Sequence, residues 1–137
     1  MHADNSDKPL AEKLGVKEGT RMCVLGSVPE NYRSQLGVLP EAVGYATSLG
    51  SGKWDLIQFF TPNADELKAF FPDLTKRLAP DGVLWISWPK QSSGVRSDLK
   101  ESAVMEIGLA TGLVDVKVAA IDETWSGLKF VYRVKNR

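Results

Sequence analysis

The sequence predicts an α/β fold, a three-layer sandwich whose sheet is mostly parallel and closes with an antiparallel pair of strands at the C-terminal end. Three observations point there. Short runs rich in Val, Ile, Leu, Phe and Trp alternate with segments of helical period, the pattern of strands joined by crossover helices. Two of the runs, Trp54 to Phe60 and Val83 to Trp88, are continuous in bulky residues, as strands covered on both faces are. The last two runs are separated only by Asp122 to Gly127, a loop too short for a crossover, so they pair antiparallel if they are neighbours. With 137 residues and no internal repeat, low-complexity tract or linker, the chain reads as one domain, 1–137.

The elements follow in order. Residues 1–7 are polar and expected to be disordered, and they hold His2, the only histidine. A histidine-based triad or metal site therefore has no histidine on the folded part of the chain. Asp7 can cap a short helix over Leu10, Ala11 and Leu14 that Gly15 ends. Thr20 to Leu25 is a first strand, with Cys23 as a small buried hydrophobe. It runs into Gly26-Ser27-Val28-Pro29-Glu30. Tyr32 and Leu36 share one face of a short helix closed by Gly37, and Pro40 bars its continuation. A second strand spans Ala42 to Thr47, interrupted by Gly44. In the connection Leu49 to Lys53, Gly52-Lys53 resembles the end of a phosphate-binding loop. That motif needs glycine where Thr47 stands and Ser or Thr where Trp54 stands, so the match is rejected.

After the strand Trp54 to Phe60 comes the clearest helix. Asn63 and Glu66 form a capping pair, and Leu67, Phe70, Phe71, Leu74 and Leu78 make an apolar stripe read as core. Pro72 predicts a kink near Phe71, and Lys76 and Arg77 complement the helix dipole. Ala79-Pro80-Asp81-Gly82 supplies a turn into the strand Val83 to Trp88, which Pro89 ends. Beyond the loop 89–97, a helix capped by Ser97, or by Asp98 with Glu101, presents Leu99, Ala103, Ile107 and Ala110, and Gly112 closes it. Strands Val114 to Ile121 and Leu128 to Val134 complete the sheet.

Charge and composition exclude some classes of partner. Lys plus Arg and Asp plus Glu number 17 each. The sequence pI is 6.6, so there is no basic field for a nucleic-acid backbone and no polybasic membrane anchor. No apolar run approaches the ~18 residues of a membrane span, and no secretory leader precedes the first charged segment. A cytoplasmic protein is expected. Cys23, as the single cysteine, forms no internal disulfide.

The run from Trp54 to Phe60, the following helix, the segment Leu78-Ala79-Pro80-Asp81-Gly82-Val83-Leu84-Trp85-Ile86-Ser87 and the final strand pair after Gly112-Leu113 resemble the second half of Rossmann-like methyltransferases. In that family a helix ending in a Leu-x-Pro-Gly-Gly-like turn feeds the fifth strand. More narrowly, nearly the whole chain is similar to a family of small bacterial proteins, a domain of unknown function with a methyltransferase-like fold. Its marks are Trp-Ile-Ser-Trp-Pro-Lys at 85–90, Ser-Ser-Gly at 92–94 and Asp-Glu-Thr-Trp-Ser-Gly-Leu-Lys-Phe at 122–130. The resemblance implies a Rossmann-like, methyltransferase-like sheet and no established activity. The first half departs from methyltransferases. They carry a glycine-rich loop after the first strand and an acid after the second, which holds the ribose of S-adenosylmethionine. This chain has one glycine, Gly26, in that loop, no acid between Glu41 and Asp55, and no room for the family's third strand between Thr47 and Lys53. Each unmatched buried hydroxyl would cost about 1–3 kcal/mol, so S-adenosylmethionine is disfavoured and no cofactor is expected.

Loops after Leu25, Phe60, Trp88 and Ile121 emerge at one edge of such a sheet, where ligands sit in α/β folds. Lys90, Ser92, Ser93, Gly94 and Arg96 are thereby expected near Asp122, Glu123, Thr124, Trp125 and Ser126, and Gly26 and Ser27 are further ligand-binding candidates at that edge. The functional reading is an anion site of hydroxyls, backbone N–H groups and basic side chains with Trp125 as one wall. The structural reading is that Lys90 or Arg96 pairs with Asp122 or Glu123 and ties the loops together. No catalytic or metal-ligating residue is assigned. The expected function is a non-catalytic binding or interaction domain, with a small anionic ligand, a protein partner or a second copy of the chain. The alternatives are a divergent S-adenosylmethionine-dependent methyltransferase, with Asp122 or Glu123 as proton acceptor, and a phosphate-ligand or nucleotide module using the loop 89–97.

Overall fold

In the computed structural model, which describes residues 3–4 and 8–134, the apolar runs become strands of one sheet. In chain order the elements are β1 (Ala3–Asp4), α1 (Leu10–Leu14), β2 (Arg21–Gly26), α2 (Tyr32–Leu36), β3 (Gly44–Ala46), β4 (Trp54–Phe60), α3 (Ala64–Lys76), β5 (Leu78–Pro89), α4 (Glu101–Leu109), β6 (Leu113–Ala120) and β7 (Trp125–Tyr132). A single 3-10 turn covers Gln91–Ser93. Ala3–Asp4 of the N-terminal segment pairs with β6, whereas His2 and the Asp7 cap lie outside the described residues.

The sheet order is β1-β6-β7-β5-β4-β2-β3. Strands β3, β2, β4 and β5 are parallel, and β7 runs antiparallel between β5 and β6. The fold is therefore mixed α/β, mostly parallel, with the antiparallel pair at the C-terminal end. From β2 the chain goes outward to β3 and then returns to place β4 on the other side of β2. That reversal of strand order opens a crevice at the C-terminal ends of β2 and β4.

Alternate residues of the central strands divide between two cores, as the two-residue period of a strand requires. Cys23, Ile57, Phe59, Leu84 and Ile86 face α3 and α4, where they meet Leu67, Phe71, Leu74 and Val104. Met22, Val24, Leu56, Phe60 and Trp85 face α1 and α2, where they meet Leu10, Leu14, Tyr32 and Leu36. Burial of each large side chain contributes about 1.5–3 kcal/mol. Trp85 is fully buried and its indole N–H donates to Leu14 O at 2.9 Å, so its one polar group is satisfied.

Several expected boundaries shift for physical reasons. The Ala79 to Gly82 turn lies within β5. Trp54 pairs with Leu78 and Leu56 with Val83, so residues 79–82 bulge from the ladder. Helix α3 continues through Pro72, because Pro72 and Lys68, whose carbonyl loses its helical donor, are both exposed to water. Helix α4 starts at Glu101 without a side-chain cap; it fully buries Val104 and Gly108, while Ala103 and Ile107 of the expected face pack half-buried against the same core and Ala110 is exposed. A Cβ at Gly108 would stand 2.1 Å from the Phe130 ring, so the helix docks where a side chain is missing. Strand β3 is shortened to three residues, Gly44 to Ala46. No helix of the described residues is long and apolar enough to cross a membrane.

Candidate functional site

The crevice at the ends of β2, β3 and β4 holds a cavity of about 530 Å³, inside the range of about 300–1,000 Å³ usual for small-molecule sites. Gly26, the last residue of β2, has φ +88°, and a Cβ there would lie 2.1 Å from Phe60 O. The next N–H, of Ser27, donates to that same carbonyl at 2.8 Å. Only glycine lets the loop backbone lie this close on the end of β4, which leaves the space above β2 open.

The walls come from three elements. Leu25 and Leu49 supply apolar surface, and the hydroxyl residues Ser27, Thr47 and Ser48 stand at the mouth. Helix α3 contributes Glu66 and Phe70, one turn apart on the same face. Their placement is local in origin: Asn63 Oδ1 accepts from Glu66 N at 2.9 Å and fixes the first turn. Phe70 is 47% exposed and leans on Phe59, with ring centroids 5.6 Å apart. It is therefore not a core member of the α3 stripe, as the sequence suggested. Glu66 supplies an acid that the sequence lacks after the second strand.

The loop after β5 is built by its own polar groups. Lys90 N–H donates to Thr124 O at 2.8 Å, and its ammonium donates to Asp122 O at 2.8 Å. Ser93 Oγ donates to Lys90 O at 2.6 Å and accepts from Val95 N at 3.1 Å. Ser97 Oγ donates to Pro62 O at 2.8 Å, and Asp98 Oδ1 accepts from Ala64 N at 2.7 Å. Asp98 thus closes the start of α3 and not that of its own helix. A groove of about 410 Å³ runs along this loop past Lys90, Gly94, Arg96 and Lys100.

The segment after β6 is tighter than a six-residue loop. Asp122 Oδ1 accepts from Thr124 N at 2.8 Å and Trp125 N at 2.7 Å, while Oδ2 accepts from Gln35 Nε2 at 3.0 Å. Both carboxylate oxygens hold structure, which leaves Asp122 poorly placed as a proton acceptor. The turn closes early, so Trp125 and Ser126 belong to β7. Trp125 packs edge-on against Phe60 at 5.1 Å, and Ser126 sits in the ladder opposite Trp88 and Ala120. A further cavity of about 380 Å³ lies among Asn31, Gln35, Asp122 and Glu123.

The sequence-derived candidates thus separate. Gly26 and Ser27 line the crevice at β2; Lys90, Gly94 and Arg96 line the groove after β5; Asp122, Glu123 and Trp125 line the cavity after β6. Ser92 and Ser93 lie in the 3-10 turn, and Ser126 lies in the sheet. Lys90 and Asp122 do meet, through a backbone carbonyl and not through an ion pair. Thr47, Ser48, Glu66 and Phe70 were missed. The four-residue spacing of Glu66 and Phe70 at the start of the helix that follows a central strand was the available signal.

Beneath the crevice the side chains of the sheet are buried. Cys23 is fully buried and burial pushes its thiol up to about 11. On the other face Ser87 Oγ donates to Gln58 Oε1 at 2.9 Å, and Gln58 Nε2 donates to the Tyr32 hydroxyl at 3.4 Å, which anchors α2 under the loop 26–31. Burial raises the Tyr32 phenol, so it stays neutral. Among the described residues no group of His, Cys, Asp or Glu is arranged to hold a metal ion.

No protein-family model and no curated protein sequence matches this chain. Solved structures do. A methyltransferase from Aquifex aeolicus described as dependent on S-adenosylmethionine superposes with a TM-score of 0.62 at 15% identity, over 88% of this chain and 86% of that one. The magnesium protoporphyrin IX methyltransferase of Synechocystis with bound SAH gives 0.59 at 16% identity, over 90% and 78%. Fibrillarin of Aeropyrum pernix with natively bound S-adenosylmethionine gives 0.59 at 14% identity, over 89% and 73%. The fold is methyltransferase-like.

These neighbours correct two expectations, that the chain is a non-catalytic binding or interaction domain and that it takes no cofactor. The solved structures it superposes on include several methyltransferases, and some, fibrillarin among them, hold S-adenosylmethionine or SAH. The expectations rested on a missing glycine-rich loop and a missing acid. The crevice does contain one glycine and one carboxylate. Gly26 alone gives the close backbone approach, and Glu66 brings a carboxylate from α3. Apolar and aromatic walls, three hydroxyls and one carboxylate form a lining that fits an adenosine-bearing cation.

Proposed function

We propose that the chain is a small, divergent methyltransferase that uses S-adenosylmethionine, with the cofactor held in the crevice at the ends of β2, β3 and β4. The observation that carries this reading is the joint presence of Glu66 and Phe70 in a cavity at the switch point of a methyltransferase-like sheet. Phe59, Phe70 and Leu49 offer apolar surface to a flat ring. Glu66 accepts hydrogen bonds from hydroxyl or ammonium donors, and its negative charge favours a cationic ligand. Thr47, Ser48 and Ser27 add hydroxyls around the mouth. When bound, S-adenosylmethionine supplies an electrophilic methyl group on a sulfonium. The chain's own contribution is to bind, to orient through Gly26 and the first turn of α3, and to exclude water with the Phe59–Phe70 pair.

Isothermal titration with S-adenosylmethionine and with SAH tests this. Both are expected to bind, and Glu66→Ala is expected to weaken S-adenosylmethionine by about tenfold, the loss of one charge-assisted hydrogen bond. Absence of binding heat and of any rise in Tm with either ligand would sink the reading.

A further inference from the structure

We propose that the groove between the loops after β4 and β5 binds a small anion, a carboxylate- or phosphate-bearing molecule, and that it seats the anionic group of the methyl acceptor. The second clause rests on the methyltransferase reading; the first does not.

Two hollows, of about 410 and 370 Å³, share Arg96, Ser97 and Asp98 as a common wall. Their polar groups fall into two sets. Ser97 Oγ is engaged with Pro62 O and Leu99 N, and Asp98 Oδ1 with Ala64 N, so these side chains build the wall. Arg96 and Lys100 are different: both are exposed, and among the described residues neither side chain has a hydrogen-bond or ion-pair partner. The Lys90 ammonium is tied to Asp122 O and lines the same groove. Three cations thus face one carboxylate, that of Asp98, which leaves a local positive excess in a chain whose charges balance overall.

The loop is also held in shape before any ligand arrives. The Ser93 hydroxyl bridges Lys90 O and Val95 N, and Gly94 turns with φ +79°. A cationic groove fixed by its own backbone loses less entropy on binding than a mobile one. A planar guanidinium beside an ammonium suits the oxygens of a carboxylate or phosphate.

Its place gives the acceptor role. Pro62 and Asn63 line one hollow, while Phe59 and Glu66 line the crevice. The tight connection 61–63 links Phe59 of the crevice to the helix that carries Glu66, and it is fixed by Asn63 N–H donating to Thr61 Oγ1 at 3.1 Å and by Thr61 N–H donating to Ser87 O at 3.0 Å. An anion held by Arg96 and Lys100 therefore stands beside the crevice and outside it.

The test is a nitrogen-15 NMR titration of the full chain with inorganic phosphate and, separately, with succinate, at ionic strength held constant with sodium chloride. Expected are saturable shifts centred on Gly94, Arg96, Ser97 and Lys100 with at least one probe. The probe that saturates at lower concentration identifies the preferred anion. Arg96→Ala with Lys100→Ala is expected to weaken it by about tenfold or more, and Arg96→Lys by less, because charge is kept and the fork is lost. Affinity for S-adenosylmethionine, measured on the same variants, is expected to stay within about twofold, because neither residue lines the crevice. Non-saturable shifts, or shifts unchanged in the double variant, overturn the anion site while the cofactor reading stands. Saturable anion binding by a chain with no affinity for S-adenosylmethionine upholds the anion site and overturns its role in seating an acceptor.

Discussion

The crevice above β2 and the rim above β5 to β7 occupy the same edge of one sheet, yet their polar groups do different work. At the rim the Asp122 carboxylate accepts three hydrogen bonds and Lys90 gives two to the neighbouring turn, so these residues hold strands and loops in register. In the crevice, Glu66 is placed by hydrogen bonds of the backbone and of Asn63, and its carboxylate lines open space. A rich polar sequence therefore marks architecture at one end of this sheet, and a sparse one marks a cavity at the other. The lesson concerns partners: a polar side chain whose donors and acceptors are already engaged by the fold has little left for a ligand.

The largest effect that would test this contrast is expected at Gly26, where the crevice itself depends on architecture. An alanine Cβ would meet Phe60 O at 2.1 Å with φ at +88°, and the obstacle is backbone. Gly26→Ala is expected to cost about 3 kcal/mol or more in urea unfolding, through strain and the displaced end of β4. A variant as stable as the parent would mean that the loop 26–31 lies elsewhere, and the crevice would lose its floor.

Next comes Asp122. Asp122→Ala strands the N–H groups of Thr124 and Trp125 and the amide of Gln35, at a cost of about 2 kcal/mol. Its S-adenosylmethionine affinity, measured by calorimetry at a temperature where the variant is folded, is expected to remain within about twofold of the parent. A tenfold loss of affinity with unchanged stability would reverse the contrast and make the rim the site.

These two residues also show how far the sequence was legible. The sheet could be read because apolar runs and helical stripes have different periods, and because six residues cannot cross a sheet. The antiparallel final pair and the positions of Gly26 and Ser27 at the sheet edge followed from that; the order of the strands did not. The division of the rim did not, because hydrogen bonds decide it: the Asp122 carboxylate collects two following N–H groups, shortens the turn and draws Trp125 and Ser126 into β7. Glu66 and Phe70 were hidden for another reason. Each also satisfies a local rule, as a capping partner and as a member of an apolar stripe, and a residue that obeys two rules gives no sign of which one the fold uses. The docking face of α4 was read only in part: Leu99, Ala103 and Ile107 do pack on the core, but the closest approach is at Gly108, where the packing comes from the absence of a side chain beside Phe130.

The smallest expected effect on stability is at Phe70, and it sharpens the contrast most. Phe70 and Phe71 are adjacent on α3, but Phe71 is fully buried against Phe130 while Phe70 is 47% exposed over the crevice. Truncating a half-exposed ring loses only part of its transfer free energy and leaves no closed cavity, so Phe70→Ala is expected to cost about 1 kcal/mol or less. If the ring serves a ligand, the same variant weakens S-adenosylmethionine by more than it weakens the fold, because the bound ligand would complete a burial that the protein alone leaves half done. Chemical denaturation and calorimetry on one preparation give both quantities. Equal losses in the two would assign Phe70 to the core after all, and the crevice would keep Glu66 and the hydroxyls of Ser27, Thr47 and Ser48 as its polar lining.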